Sequence, residues 1–142
     1  FEEKVGLIKV TINMNASQFK SYKGYKGLVI EGTGLGHTPL DVIDNETKEH
    51  ANIKKALQEL SKNTILVMTS QALFGTVNLN VYSKGRELQD IGVISGEDML
   101  PETAFVKLSW LLGNYSKDKV KDLIGKNLRG EINSNLTKEF LE

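Results

Sequence analysis

The sequence predicts a three-layer α/β domain: a four-stranded parallel sheet, Rossmann-like or flavodoxin-like, flanked by helices. Three observations predict it. Short β-branched runs alternate with stretches of helical periodicity along the 142 residues. The apolar run in 27–31 is continuous rather than alternating, as a parallel strand covered on both faces requires, and 64–69 carries the strongest strand signal in the chain. Right-handed crossovers then limit the strand order to the Rossmann or flavodoxin type.

Residues 5–12, rich in β-branched side chains, read as the first strand, and Asn13-Met14-Asn15 closes it. A short helix over 16–23 follows, with Phe19 and Tyr22 as its apolar edge. The second strand, 27–31, opens into Gly32-Thr33-Gly34-Leu35-Gly36-His37-Thr38-Pro39. Ile53, Ala56, Leu57 and Leu60 form one face of a helix over about 46–61. The third strand, 64–69, leads into an irregular loop over 70–82. A short helix over 86–90 and a fourth strand over 91–94 come next, then the turn Ser95-Gly96-Glu97-Asp98. Pro101 suits the first position of a helix, where its missing N–H costs nothing, and Gly113 is expected to end it. Phe105 and Trp110 sit at helical spacing and read as core. Ser116 is placed to cap a last helix that turns Val120, Leu123 and Ile124 inward. Residues 129–142 lack periodicity and read as a surface tail. No boundary divides the chain, so residues 1–142 form one domain.

Composition narrows the function. Lys plus Arg and Asp plus Glu are 18 each, so the basic excess that phosphate binding produces is missing. With no cysteine, disulfides, thiolate metal sites and a cysteine nucleophile are excluded. Two histidines far apart in sequence make a poor metal site, and none is expected. No apolar run approaches the roughly 18 residues of a membrane span, and no signal-peptide pattern is present. A cytoplasmic protein with no membrane partner is the expectation.

The glycine loop invites a nucleotide reading, but its third glycine falls one residue early and Pro39 separates it from the next helix. Gly36 is followed by His37, so the Gly-Lys-Ser/Thr of a P-loop is missing too. A structural reading of the glycines, as residues free to take positive φ, competes with it. Loops at the carboxyl ends of parallel strands are where α/β sheets present ligand or partner groups. Glu31, Gly32, Gly34, Gly36 and His37 form one such loop, and Ser70 with Gln71 starts another. Ser70 lacks the Gly-x-Ser-x-Gly elbow of a nucleophile, and loop-fixing hydrogen bonds are the competing role. His37 is read either as a donor to a ligand or neighbouring subunit or as an ordinary surface histidine. Glu97, Asp98 and Glu102 suit the positive end of a helix rather than acid–base work.

Several stretches resemble the asparaginase/glutaminase family in the right order. They are Gly27 to Pro39, Met68-Thr-Ser-Gln71, Gly75, Val77 to Arg86, Gly92-Val-Ile94, Glu97 to Ala104 and Val106-Lys-Leu108. The resemblance covers roughly residues 5–132 and falls in that family's smaller C-terminal domain. His37-Thr-Pro39, the Leu100-Pro-Glu102 within 98–104 and Asn78-Leu-Asn80-Val-Tyr82 are most similar to the D-type subunit of archaeal glutamyl-tRNA(Gln) amidotransferases. Ala72, Leu73 and Thr76 depart from that pattern, standing where Cys, an aromatic residue and Arg are expected.

The resemblance implies a glutaminase subunit that hydrolyses glutamine and supplies ammonia for converting Glu-tRNA(Gln) to Gln-tRNA(Gln). It implies the E-type amidotransferase subunit as partner, with ATP and Mg²⁺ used there and no cofactor in this domain, and tRNA(Gln) bound by the complex. It implies a homodimer in which strand-end loops approach the other subunit's active site, with Glu31 and His37 the chosen candidates. The family's Gly-Gly-Thr and Thr-Asp-Lys motifs are absent from the chain. With a Phe rather than a Met at position 1, that predicts an excised C-terminal domain, inactive alone, with no catalytic residue of its own. The alternatives are the C-terminal domain of a free L-asparaginase and a free-standing flavodoxin-like binding domain.

Overall fold

The computed structural model describes residues 1–133. Four parallel strands form one sheet: β1 (Val5–Lys9), β2 (Gly27–Gly32), β3 (Ile65–Ser70) and β4 (Val93–Ser95). The helices are α1 (Ala16–Lys20), α2 (Glu49–Ser61), α3 (Ser83–Ile91), α4 (Pro101–Asn114) and α5 (Lys117–Ile124). The expected class, a parallel sheet between helical layers, is the observed one.

The strand order is sequential, β1-β2-β3-β4. It therefore lacks the reversal of a Rossmann or flavodoxin sheet. Crossovers of one hand that all step the same way put their helices on one face. Accordingly, α1, α2 and α3 share a core with alternate residues of the sheet: Phe19, Ile53, Leu57 and Leu88 pack with Leu28, Ile30, Leu66 and Met68. The other face would be bare. The chain covers it after β4, with Ala104, Leu108 and Leu111 of α4 and Val120 and Ile124 of α5 over Val29, Ile65 and Val67. Period-two alternation thus sends β2 and β3 into both cores, which is why Leu28-Val29-Ile30 and Ile65-Leu66-Val67-Met68 are apolar without alternation.

Several boundaries move for identifiable reasons. β1 stops at Lys9, because beyond it only the Val10 N–H still bonds to β2, at the Glu31 carbonyl, 3.0 Å. The third helix is longer than expected and takes in Ile91. Gly92, at φ 103°, then caps it in the left-handed conformation. Gly113 lies inside α4, which runs on to Asn114. Ser116 is the N-cap of α5, but its side chain makes no capping bond.

Trp110 is not core: it is 41% exposed on the outer side of α4. The expected surface tail is also corrected over 129–133. There Ile132 is buried, Glu131 pairs with Lys107 at 2.6 Å, and the Asn133 amide donates to Asp98 at 2.8 Å. The remainder of that expectation, 134–142, lies outside the described residues. No helix among the described residues is long and apolar enough to cross a membrane.

Candidate functional site

Parallel strands deliver all their carboxyl ends to one edge. That edge brings together the two loops singled out from sequence. Residue 31 pairs with Thr69, and Gly32 with Ser70, so the loops leave from adjacent positions.

The first loop is a tight reversal. Thr33 and His37 exchange backbone hydrogen bonds of 2.9 Å each way, and the Gly36 N–H also donates to the Thr33 carbonyl at 2.9 Å. Closing it requires positive φ at Gly34 (52°) and Gly36 (97°). Gly32 serves close approach instead. A Cβ there would lie 2.6 Å from Met68 Sδ and 2.8 Å from the His37 carbonyl oxygen.

Two side chains tie the loops to each other. Ser70 Oγ donates to the Gly34 carbonyl (2.5 Å) and accepts from the Ala72 N–H (3.0 Å). Its proton points at a carbonyl rather than at a base, an arrangement that fixes the loop and does not activate a nucleophile. Gln71 Nε2 donates to the carbonyls of Val10 (2.7 Å) and Glu31 (3.1 Å), and its N–H to Gly32 (2.8 Å). One residue after β3 thereby holds the ends of β1 and β2. The Asn78 N–H donates to the Leu35 carbonyl (2.9 Å), and Val77 to Glu97 (2.9 Å), joining the later part of the 70–82 loop to the same edge.

Glu31 and His37 remain at the rim. Glu31 carries a mostly buried carboxylate that pairs with Lys9 Nζ at 2.9 Å. His37 is half-buried. Its ring meets the edge of Tyr82 at 5.6 Å, and its Nε2 is shut off from solvent without a hydrogen-bond partner. Among the described residues no cluster of three or more His, Asp or Glu is placed to hold a metal ion.

The edge is also apolar, which the sequence reading missed. Ile12, Val42, Ile43, Leu73, Phe74, Val81, Tyr82 and Leu100 are all exposed, and all lie in segments that leave strand carboxyl ends. Apolar exposure concentrated at one edge marks a surface made for another polypeptide. Its signal in the sequence was the pair Val42-Ile43 between Asp41 and Asp44 and the pair Leu73-Phe74, apolar residues in segments without periodicity.

Comparisons with known proteins agree with this architecture. Residues 4–123 match the family described as Glutaminase/Asparaginase C-terminal domain. The D-type subunit of glutamyl-tRNA(Gln) amidotransferase from Methanococcus maripaludis strain C5 is 50% identical over 140 residues, 97% of this chain and 31% of that protein. Its counterpart from Pyrococcus furiosus is 52% identical over 134 residues, 92% of this chain and 28% of that protein. The chain thus spans about a third of the length of these curated relatives. Among solved structures, the thermostable L-asparaginase from Thermococcus kodakarensis superposes with a TM-score of 0.83 at 29% identity, over 94% of this chain and 39% of that one. L-asparaginase I from Vibrio cholerae gives 0.78 at 30% identity, over 92% and 38%.

Proposed function

Because the chain belongs to the glutaminase/asparaginase C-terminal domain family, we propose that it serves as the C-terminal domain of the glutaminase subunit of a tRNA-dependent amidotransferase. In this reading the whole subunit releases ammonia from glutamine, and the ammonia is used to convert Glu-tRNA(Gln) to Gln-tRNA(Gln). The observation that carries it is the identity of about one half to D-type amidotransferase subunits along nearly the whole chain.

The domain's part is indirect. Its carboxyl edge is built as a recognition surface: Ser70 and Gln71 commit their hydrogen bonds to the loops, Glu31 and His37 stand half-buried at the rim, and the apolar residues around them face outward. That edge completes an active site supplied by another domain across a homodimer. Glu31 offers a carboxylate and His37 a ring nitrogen that now lacks a partner. The nucleophile and its activating groups are supplied elsewhere in the subunit. ATP and Mg²⁺ act on the E-type partner, tRNA(Gln) is held by the complex, and this domain carries no cofactor. The assembly works in the cytoplasm.

The test is ammonia release from glutamine. The 142-residue chain alone is expected to give none. The subunit encoded by the full gene, mixed with its E-type partner, is expected to release ammonia and to amidate Glu-tRNA(Gln). A full-length product that hydrolyses free asparagine and ignores the E-type partner would favour the second reading, a free L-asparaginase, for which the fold shared with the two asparaginases speaks.

A further inference from the structure

We propose that the groove between the loop after β3 and the start of α4 seats the next stretch of this same chain, residues 134–142, with Phe140 as the anchor. The inference does not depend on the function proposed for the carboxyl edge. The groove measures about 540 Å³. Leu73 and Phe74 line it from the loop, Leu100 from the start of α4, and Arg129, Glu131 and Asn133 from the segment after α5. Leu73, Phe74 and Leu100 stand 65%, 69% and 42% exposed, so the lining is apolar on two sides. It adjoins the groove beside Trp110 and shares Arg129 and Glu131 with it.

What occupies the groove follows from where the chain is heading. After α5 the chain runs back along α4, where Lys107 Nζ donates to the Lys126 carbonyl and pairs with Glu131, both at 2.6 Å. Ile132 is buried in the core under α4 and α5. Asn133 is already in the groove: its N–H and its side-chain amide both donate to the Asp98 carboxylate, at 3.0 and 2.8 Å. The direction of the chain is therefore fixed up to the groove itself. From there the sequence reads Ser134-Asn135-Leu136-Thr137-Lys138-Glu139-Phe140-Leu141-Glu142, three large apolar side chains among polar ones.

Phe140 follows Asn133 by seven positions, a reach of up to about 25 Å when extended, ample for side chains that line the same groove as Asn133. It also brings the largest apolar area of the three, about 150–250 Å². A segment tethered this closely meets the lining at an effective concentration in the millimolar range, which any separate polypeptide has to outcompete. The tether selects the chain's own segment as the occupant. Docking has a consequence at the strand ends. Ser70 and Gln71 hold the near side of the loop after β3. Phe140 against Leu73 and Phe74 holds its far side.

Nuclear Overhauser effects in the 142-residue chain test the contact directly: they are expected from the Phe140 ring to the methyls of Leu73 and Leu100. Hydrogen exchange followed by mass spectrometry tests its effect, in the 142-residue chain and in the whole subunit. Phe140→Ala should speed exchange of the 72–76 amides about tenfold and leave those of β2 and β3 unchanged. Leu73→Ala should do the same, and the double variant should exchange within about threefold of either single one, because both remove one contact. Circular dichroism of Phe140→Ala should match the parent. Absence of the Overhauser effects overturns the proposal, and so does 72–76 exchange that Phe140→Ala leaves unchanged. If those amides are protected in the whole subunit and stay so in Phe140→Ala, the rest of the subunit covers the groove, and the proposal fails.

Discussion

The three glycines of the first strand-end loop look alike in the sequence and do different work. Gly34 needs its φ of 52° but has open space where a Cβ would stand, whereas Gly36 needs a φ of 97° and a Cβ there would lie 2.8 Å from Met68 Cγ and Val77 Cγ1. Gly34→Ala should therefore cost only the left-handed penalty, about 1 kcal/mol. Gly36→Ala adds overpacking against two fully or nearly buried side chains and should cost about 3 kcal/mol. Urea denaturation of the two variants checks the difference, and equal losses would refute the steric part. The spacing of the glycines was legible from the sequence, and so was the hydrogen-bonding capacity of Ser70. That Ser70 directs it to Gly34 and Ala72 was not, since those contacts need two loops brought together across a strand pair. Trp110 was misread for a related reason. Helical spacing places it on a row with Val106, but only the packing of α4 decides which rows face the sheet.

The return segment 125–133 is the element that periodicity could not find. It has no repeat because single side chains, rather than a face, hold it down. Glu131 is the clearest case. Burial pushes its carboxyl up, but the Lys107 ammonium and the backbone N–H groups of Glu131, Arg129 and Leu128 outweigh this and bring the pKa down to about 2. A carboxylate whose folded pKa lies below its unfolded value of about 4.5 stabilises the fold above that pH. The contribution is lost as pH falls from about 4.5 towards 2. Urea midpoints at pH 6, 4 and 3 should fall accordingly, by the equivalent of about 2 kcal/mol at the acid end once solvent screening is allowed for. Glu131→Gln should start lower at pH 6, since it leaves Lys107 without its counter-charge, and should show a shallower fall over the same window. A variant with the parent's slope would assign the acid loss to other carboxylates. The pairing matters beyond stability, because it keeps residues 128–131 against α4 and so shapes the groove beside Trp110.

A sheet in sequential order has no point where the crossovers part to opposite faces, so it offers no crevice of the Rossmann kind between its own strands. What it offers is an edge, and here that edge is apolar. The same order predicts how the molecule opens. β2 and β3 have both faces covered and two neighbours each, while the loop over 39–48 lies outside the sheet. Amides of β2 and β3 should exchange with solvent only on global unfolding, and those of 41–46 by local opening. Hydrogen exchange followed by mass spectrometry checks this, and early exchange in β3 would contradict it. Already written in the order of the residues were the alternation of strands and helices, the two-sided burial of the second strand, the resemblance to glutaminases and asparaginases, and the loops at issue. Those are properties of local pattern and of residue order, which a chain carries unfolded. The sequential strand order, the use of α4 and α5 to close the second face, the Lys107–Glu131 clasp and the apolar surfaces emerge only once the chain is folded. Each of these depends on which distant segments meet, and that is set by the packing of whole faces rather than by any one stretch of the chain.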